Sequence, residues 1–404
     1  MQAIYLDANA TTRPSPEASD AVDEAHRRFW ANPSSVHRFG QEVRQRLELA
    51  RRQVAELLRA KPSGIVFTSG GTESNNLALR GVLDRAAPGE PATLITSRVE
   101  HSAVREPAEA AEPRGVRVVW VPVDADGVVD AAAVAEAARL APGTTLASVQ
   151  WANNETGTVQ PVAQIAEALR SVNEDRRECR LPAAVFHTDA TQAAGKLPID
   201  VKSAGVDLLT IAAHKFHGPK GVGALYVRRG VRLVRQNIGG PQEIDRRGGT
   251  EHVPGILGMG VAAEQAAAWV ADADGIASIR ALRDRFECNV QRAVPEALIN
   301  AEHATYGRLW NTANLAFPKL EAEAILLGLS ERGVFASAGA ACSSGSLEPS
   351  PVLRAMGMDE PRAHGSVRFS LSRTTMREEI EAAVPVVAQV VGRLSQTMPV
   401  GPPR

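Results

Sequence analysis

Seven short apolar runs within residues 64–227 constrain the fold of this chain more than any other feature. They read GIVFTS (64–69), TLITS (93–97), VRVVWVP (116–122), TTLASVQ (144–150), AVFHTD (184–189), LLTIAA (208–213) and GALYV (223–227). Their length and their β-branched and aromatic content are those of strands. Helix-like stretches lie between them, such as 41–59, where Val43, Leu47, Val54 and Leu58 mark one face. Strands that alternate with helices build a mostly parallel sheet covered on both faces, so the pattern predicts an α/β fold. Ligands of such sheets sit at the carboxyl ends of strands, in the loops leading to helices. The search for function therefore starts at the strand ends.

Beyond about residue 256 the pattern changes to long alanine-rich helices (260–294), a shorter strand-and-helix region and a final helix near 377–396. The expected organisation is a large domain over 16–256 and a smaller α+β domain made of 1–15 and 257–404. The charged stretch NEDRRECR (173–180) reads as a solvated loop, and MPVGPPR (398–404) as a frayed tail. At 404 residues the chain can bury a sizeable core. Its 45 basic residues balance 46 acidic ones, which signals neither nucleic acid nor an anionic membrane as partner. No apolar run approaches the ~20 residues of a membrane span. The N-terminus lacks the basic-then-apolar pattern of a signal peptide. Cys179, Cys288 and Cys342 cannot all pair and show no metal-ligand spacing, which fits a reducing cytosol and no metal site.

Several strand ends carry residues with chemical potential. In FTSGGTESNNLAL a strand ends, Gly70 and Gly71 follow, and Thr72 opens a helix. Free N–H groups and the helix dipole favour phosphate there, although the same residues also make an ordinary capped turn. Asp189 leaves the strand AVFHTD with Gln192 three residues on, and a buried acid in that place needs a cation or a cap. Lys215 follows LLTIAA between His214 and His217, where desolvation and neighbouring charge can prepare an amine for Schiff-base chemistry. A phosphate loop, a strand-end aspartate and a strand-end lysine in one sheet are the protein parts that pyridoxal 5'-phosphate requires. His101, in RVEHSAV, can stack on a flat ring and move protons; Asn154, in QWANNETG, can donate to a ring hydroxyl. Cys342 sits in ASAGAACSSGSLEPS (336–350), a run of small residues with little to pack, a setting suited to an accessible nucleophile.

These motifs resemble, in order and over nearly the whole chain, the group I (nitrogen-fixation and iron–sulfur-cluster type) cysteine desulfurases, pyridoxal-phosphate enzymes of fold type I. The resemblance also rests on YLDANATT, NPSSVHRFG, RRGGTEHVPGILG and SVRFSLSRTT. It implies that Lys215 forms the Schiff base with the cofactor, that Asp189 pairs with the pyridine nitrogen, and that Asn154 and Gln192 bond the ring hydroxyl. It assigns His101 to ring stacking and acid–base work, and Gly71, Thr72 and His214 to the phosphate. Thr250 would join that phosphate from a neighbouring subunit of a homodimer. Arg368, helped by Asn32, would bind the carboxylate of L-cysteine, and Cys342 would attack its sulfur to become a persulfide, later passed to a sulfur-acceptor protein. The chain departs from many relatives at Ala212, where a serine serves the phosphate, and at Ala338 and Ala340 near the cysteine. A selenocysteine lyase or another C–S lyase is the rival enzyme on this scaffold, and a sulfur-carrier scaffold the rival of another class.

Overall fold

The computed structural model describes residues 3–339 and 349–397. Its strands, in chain order, are β1 (Ile4–Tyr5), β2 (Ile65–Thr68), β3 (Ala92–Ser97), β4 (Arg117–Val121), β5 (Thr144–Ser148), β6 (Val185–Asp189), β7 (Leu208–Ala212), β8 (Gly223–Val227), β9 (Leu298–Ile299), β10 (Thr312–Ala316), β11 (Val334–Phe335) and β12 (Ser366–Ser370). The seven runs expected from the sequence form one sheet, in the order β2–β8–β7–β6–β5–β3–β4. Only β8 runs antiparallel to its neighbours.

Every residue of β2, β3, β6 and β7 is buried, as expected for strands covered on both sides. Alternate side chains serve two cores. Phe67, Ile95, Phe186 and Leu209 face helices that include Arg38–Leu57, Val162–Glu178 and Val253–Ala271. Val66, Leu94, Val185 and Leu208 face the helices Gly71–Leu83 and Ser102–Ala111. Val43, Leu47, Val54 and Leu58, the face read from periodicity, are all buried in the first of these cores. The helix Val253–Ala271 runs across residues 256–257, where the sequence placed a domain boundary, and its Met259, Ala262, Ala263 and Ala266 stay in that same core.

A second core holds Leu6, Phe286, Trp310, Leu315, Val334, Phe369 and Val387. It lies among the antiparallel sheet β12–β10–β9, the parallel pair β1–β11, and the helices Ala273–Ala293, Ala322–Ser330 and Arg377–Thr397. The first strand of the chain thus belongs with the C-terminal third. No helix among the described residues is long and apolar enough to cross a membrane.

One expectation needs correction. NEDRRECR is not a loop, because residues 173–178 form the last turns of the helix Val162–Glu178. Arg176 turns inward, 2% exposed, and donates to the carbonyls of Ala138, Ala141, Gly143 and Pro182. The guanidinium thereby satisfies carbonyls left over at the end of the helix Ala131–Leu140, a role invisible to a count of local charge. The alanine-rich stretch 260–294 holds helices as expected, Val253–Ala271 and Ala273–Ala293, which part at Asp272, whose side chain caps the second through Gly275 N. The tail at 398–404 and Cys342 lie outside the described residues.

Candidate active site

β2 ends at Thr68, and Gly70, with φ 155° and ψ −178°, turns the chain into the helix Gly71–Leu83. The turn packs against β8: a Cβ on Gly223 would come within 2.7 Å of the Gly70 carbonyl carbon. A side chain there would push the helix entrance away, which explains the glycine. The first N–H groups of this helix, Thr72, and the carboxyl ends of β6 and β7 all border one cavity of about 600 Å³.

Asp189 ends β6 and is 5% exposed. Its Oδ2 accepts from Asn75 Nδ2 (2.7 Å) and its Oδ1 from Thr191 N (2.9 Å). Among the described residues no lysine or arginine forms an ion pair with it, so a buried acid faces the cavity with neutral partners alone. Lys215 follows β7 on a short 3-10 turn and reaches across to the carbonyls of Asn9 (2.7 Å) and Ala10 (2.9 Å). Gln192 is clamped: its Nε2 donates to Asn9 O, and its Oε1 accepts from Lys196 Nζ at 2.6 Å. Those partners assign its amide orientation and leave one N–H for a ligand. Lys196 is buried, and desolvation, then Lys215 and Arg368, push its pKa well below the usual lysine value.

His101 caps the helix Ser102–Ala111, with Nδ1 accepting from Ala103 N (3.0 Å), so the neutral ring carries its proton on Nε2. Burial lowers its pKa, against an opposing pull from Asp189. His214 lies 3.2 Å from Thr11 Oγ1, and burial, Lys215, Lys220 and Lys196 bring it down to about 4. Both imidazoles are therefore neutral at neutral pH. Among the described residues, the buried side-chain oxygen of Asn154 has no partner, and neither has the buried Nε of Arg368. The rest of the Arg368 guanidinium is held by Asp7 Oδ1 (2.7 Å), Asn154 O (2.9 Å) and Gly339 O (3.1 Å).

Pyridoxal 5'-phosphate fits this set of groups. Among the described residues, a buried carboxylate lacks a cation and an amide oxygen lacks a donor, while an anion cradle lies at a helix entrance and a lysine amine borders the same cavity. Of the residues singled out in the sequence, Gly71, Thr72, His101, Asn154, Asp189, Gln192, His214, Lys215 and Arg368 line it together. Asn32 and Thr250 do not. Asn32 is exposed and accepts from Ser34 N (2.8 Å), and Thr250 is exposed beyond a loop anchored by the buried pair Arg51–Glu243 (2.8 Å). Ala212 also lines the cavity and offers it no hydroxyl.

Sequence reasoning missed the groups that hold these side chains. Asn9, 1% exposed, receives Lys215 and Gln192 on its carbonyl, donates from Nδ2 to Thr312 Oγ1 (2.9 Å), and accepts from Asn311 Nδ2 (3.0 Å). Asn75 steadies Asp189, Asp7 steadies Arg368, and Glu100 lies fully buried beside His101. Asn9 and Asp7 sit in YLDANATT and Asn75 in GGTESNN, so the motifs were visible while the partners were not.

Residues 4–383 match the family Aminotransferase class-V. Cysteine desulfurase 2 of Trichormus variabilis is 45% identical over 399 residues, 99% of this chain and 96% of that protein. A solved NifS-like protein superposes with a TM-score of 0.87 at 33% identity, covering 97% of this chain and all of that one. A structure described as SspA in complex with cysteine gives 0.76 at 34% identity, over 92% and 99% of the two chains. With that cavity, that sheet order and this degree of identity along its whole length, the chain belongs to the class-V aminotransferases and, within them, to the cysteine desulfurases.

Proposed function

We infer that the protein is a pyridoxal-phosphate-dependent cysteine desulfurase that converts L-cysteine to L-alanine and keeps the sulfur as a persulfide on Cys342. The observation that carries this reading is the meeting of Asp189, Lys215, Gln192 and His101 at one cavity beside the entrance of the helix Gly71–Leu83. The cofactor, when bound, supplies an electron sink that makes the Cα proton of a bound amino acid acidic.

The residues of this chain do the rest. Thr72, the first N–H groups of its helix and His214 would hold the phosphate, with Thr250 of a second copy joining across a homodimer interface. Asp189 would hold a proton on the ring nitrogen through a charge-assisted hydrogen bond, worth about 1.5–3 kcal/mol. Asn75 and Thr191 N keep its two oxygens oriented for that task. Gln192 and Asn154 would bind the ring hydroxyl. Arg368 would orient the substrate carboxylate, and Lys215 Nζ would take the Cα proton. The Cys342 thiolate then forms an S–S bond with the substrate sulfur as the C–S bond breaks. The electron pair of that bond stays with Cβ, which a proton converts to the methyl group of alanine. A sulfur-acceptor protein would later take the persulfide sulfur.

The test is a pulse of L-cysteine followed by alanine quantification and mass spectrometry. The expected result is one alanine per persulfide on Cys342, and none from Cys342→Ser. Sulfur on Cys179 or Cys288 would overturn the assignment, as would alanine release from Cys342→Ser. Faster turnover of L-selenocysteine with no persulfide would favour a lyase instead.

A further inference from the structure

Gln192 reaches the cavity from a turn that also carries a buried lysine. The chain leaves β6 at Asp189 and coils back on itself: Ala193 N and Ala194 N donate to Ala190 O, and Lys196 N and Leu197 N donate to Ala193 O. Gly195, with φ 73°, closes the coil so tightly against Phe216 that a Cβ at 195 would lie 2.7 Å from the Phe216 Cβ. Residues four apart on such a coil stand side by side, and Lys196 Nζ donates to Gln192 Oε1 at 2.6 Å. The lysine backbone is pinned from the second core, its carbonyl accepting from Trp310 Nε1 at 2.8 Å.

Lys196 is 4% exposed, and among the described residues Gln192 Oε1 is the one acceptor its amine meets. No carboxylate among them forms an ion pair with it, and the charges of Lys215 and Arg368 oppose its own. An amine buried in that way is costly, and an apolar side chain would fill the place at less cost if packing alone were at stake. What the amine accomplishes is visible at Gln192. A side-chain amide can turn over, exchanging its acceptor oxygen and donor nitrogen with almost no change of shape. Here Lys196 holds the oxygen on one side, Asn9 O accepts from Nε2 (2.9 Å) on another, and the second N–H is left for the cavity that Gln192 lines. We propose that Lys196 is a positioning residue for the cofactor: its amine holds Gln192 Oε1 and so turns a Gln192 N–H, instead of that oxygen, toward the ring hydroxyl. The inference rests on the reading of Gln192 as a partner of that hydroxyl.

Two ligands separate positioning from structure: pyridoxal 5'-phosphate and its analogue that lacks the ring hydroxyl, each measured by equilibrium dialysis against the cofactor-free full chain. Lys196→Met removes the amine and keeps an unbranched side chain. K196M should bind pyridoxal 5'-phosphate about tenfold more weakly, the worth of one hydrogen bond, and should bind the analogue as tightly as the parent does. A lysine with a structural role alone would move both ligands together, so equal losses overturn the proposal, and so does no loss. Gln192→Ala sorts the two readings. If Q192A weakens both ligands equally, or neither, the reading of Gln192 falls and the proposal with it. If Q192A weakens pyridoxal 5'-phosphate selectively while K196M does not, the proposal alone falls. Added to Q192A, K196M should bring no further selective loss; a full second loss would show that Lys196 does not act through Gln192, and would overturn the proposal. If K196M does not fold, a neutron structure of the parent holoenzyme decides. Gln192 nitrogen toward the ring hydroxyl and oxygen toward Lys196 supports the proposal, and the reversed amide overturns it.

Discussion

Glu100 offers a direct measure of how much the burial behind the cavity costs. Its carboxyl is fully buried and, among the described residues, accepts only neutral donors: Ser97 Oγ at 3.0 Å and Gln150 N at 2.9 and 3.1 Å. Desolvation, with a smaller push from Asp189, raises its pKa from 4.5 to about 8. A raised carboxyl pKa contributes no penalty below pH 4.5, where folded and unfolded chains are both protonated. The penalty then grows as the unfolded chain ionises alone, until the folded group ionises near pH 8. At about 1.4 kcal/mol per pH unit, the cost is about 2 kcal/mol at pH 6 and nearly 5 kcal/mol at pH 9. Glu100→Gln has the same shape, keeps a carbonyl oxygen for Gln150 N, and does not titrate. Between pH 6 and pH 9 the parent should therefore lose about 3 kcal/mol that the variant keeps. Urea midpoints of the cofactor-free proteins across that range, read by circular dichroism, make the comparison without the pH dependence of cofactor binding. Parallel profiles for parent and E100Q would refute the reasoning, because they would mean that Glu100 is already ionised in the fold.

Three further outcomes follow from the geometry. Gly223→Ala, whose Cβ would press on Gly70, should weaken the binding of pyridoxal 5'-phosphate to the cofactor-free chain about tenfold, or ~1.4 kcal/mol, and leave pyridoxal unaffected; equal loss of both would place the phosphate elsewhere. Asn9→Ala removes the side-chain bonds to Thr312, Asn154 and Asn311 and should cost about 2–4 kcal/mol in urea unfolding; a loss below about 0.5 kcal/mol would show that these bonds do not hold the two units together. Mixing an inactive Lys215→Ala chain with an inactive Thr250→Ala chain should restore part of the activity through hybrid dimers, and a fully active monomer in sedimentation would contradict the shared site.

The sequence by itself determined the sheet and most of the cavity. Seven apolar runs became the seven strands, because strand length and buried periodicity are local properties. Thr72, Asp189 and Lys215 were legible for a related reason: each follows a strand directly, and in a parallel sheet all such ends open on the same edge. The tertiary structure alone decided what each of these residues would touch. Asn9 bonds to Ser370, 361 residues away, and offers the carbonyl that receives both Lys215 and Gln192. Arg368 meets Asp7 across an equal separation. Arg176, one of several charges in a polar stretch, turned inward because a helix end elsewhere had carbonyls to satisfy. Glu155 accepts from Ser350, 195 residues away, a partner that nothing in its own stretch indicates. Hydrophobic period writes an element into its own residues, but a hydrogen bond depends on a partner, and the partner is chosen by how distant segments pack.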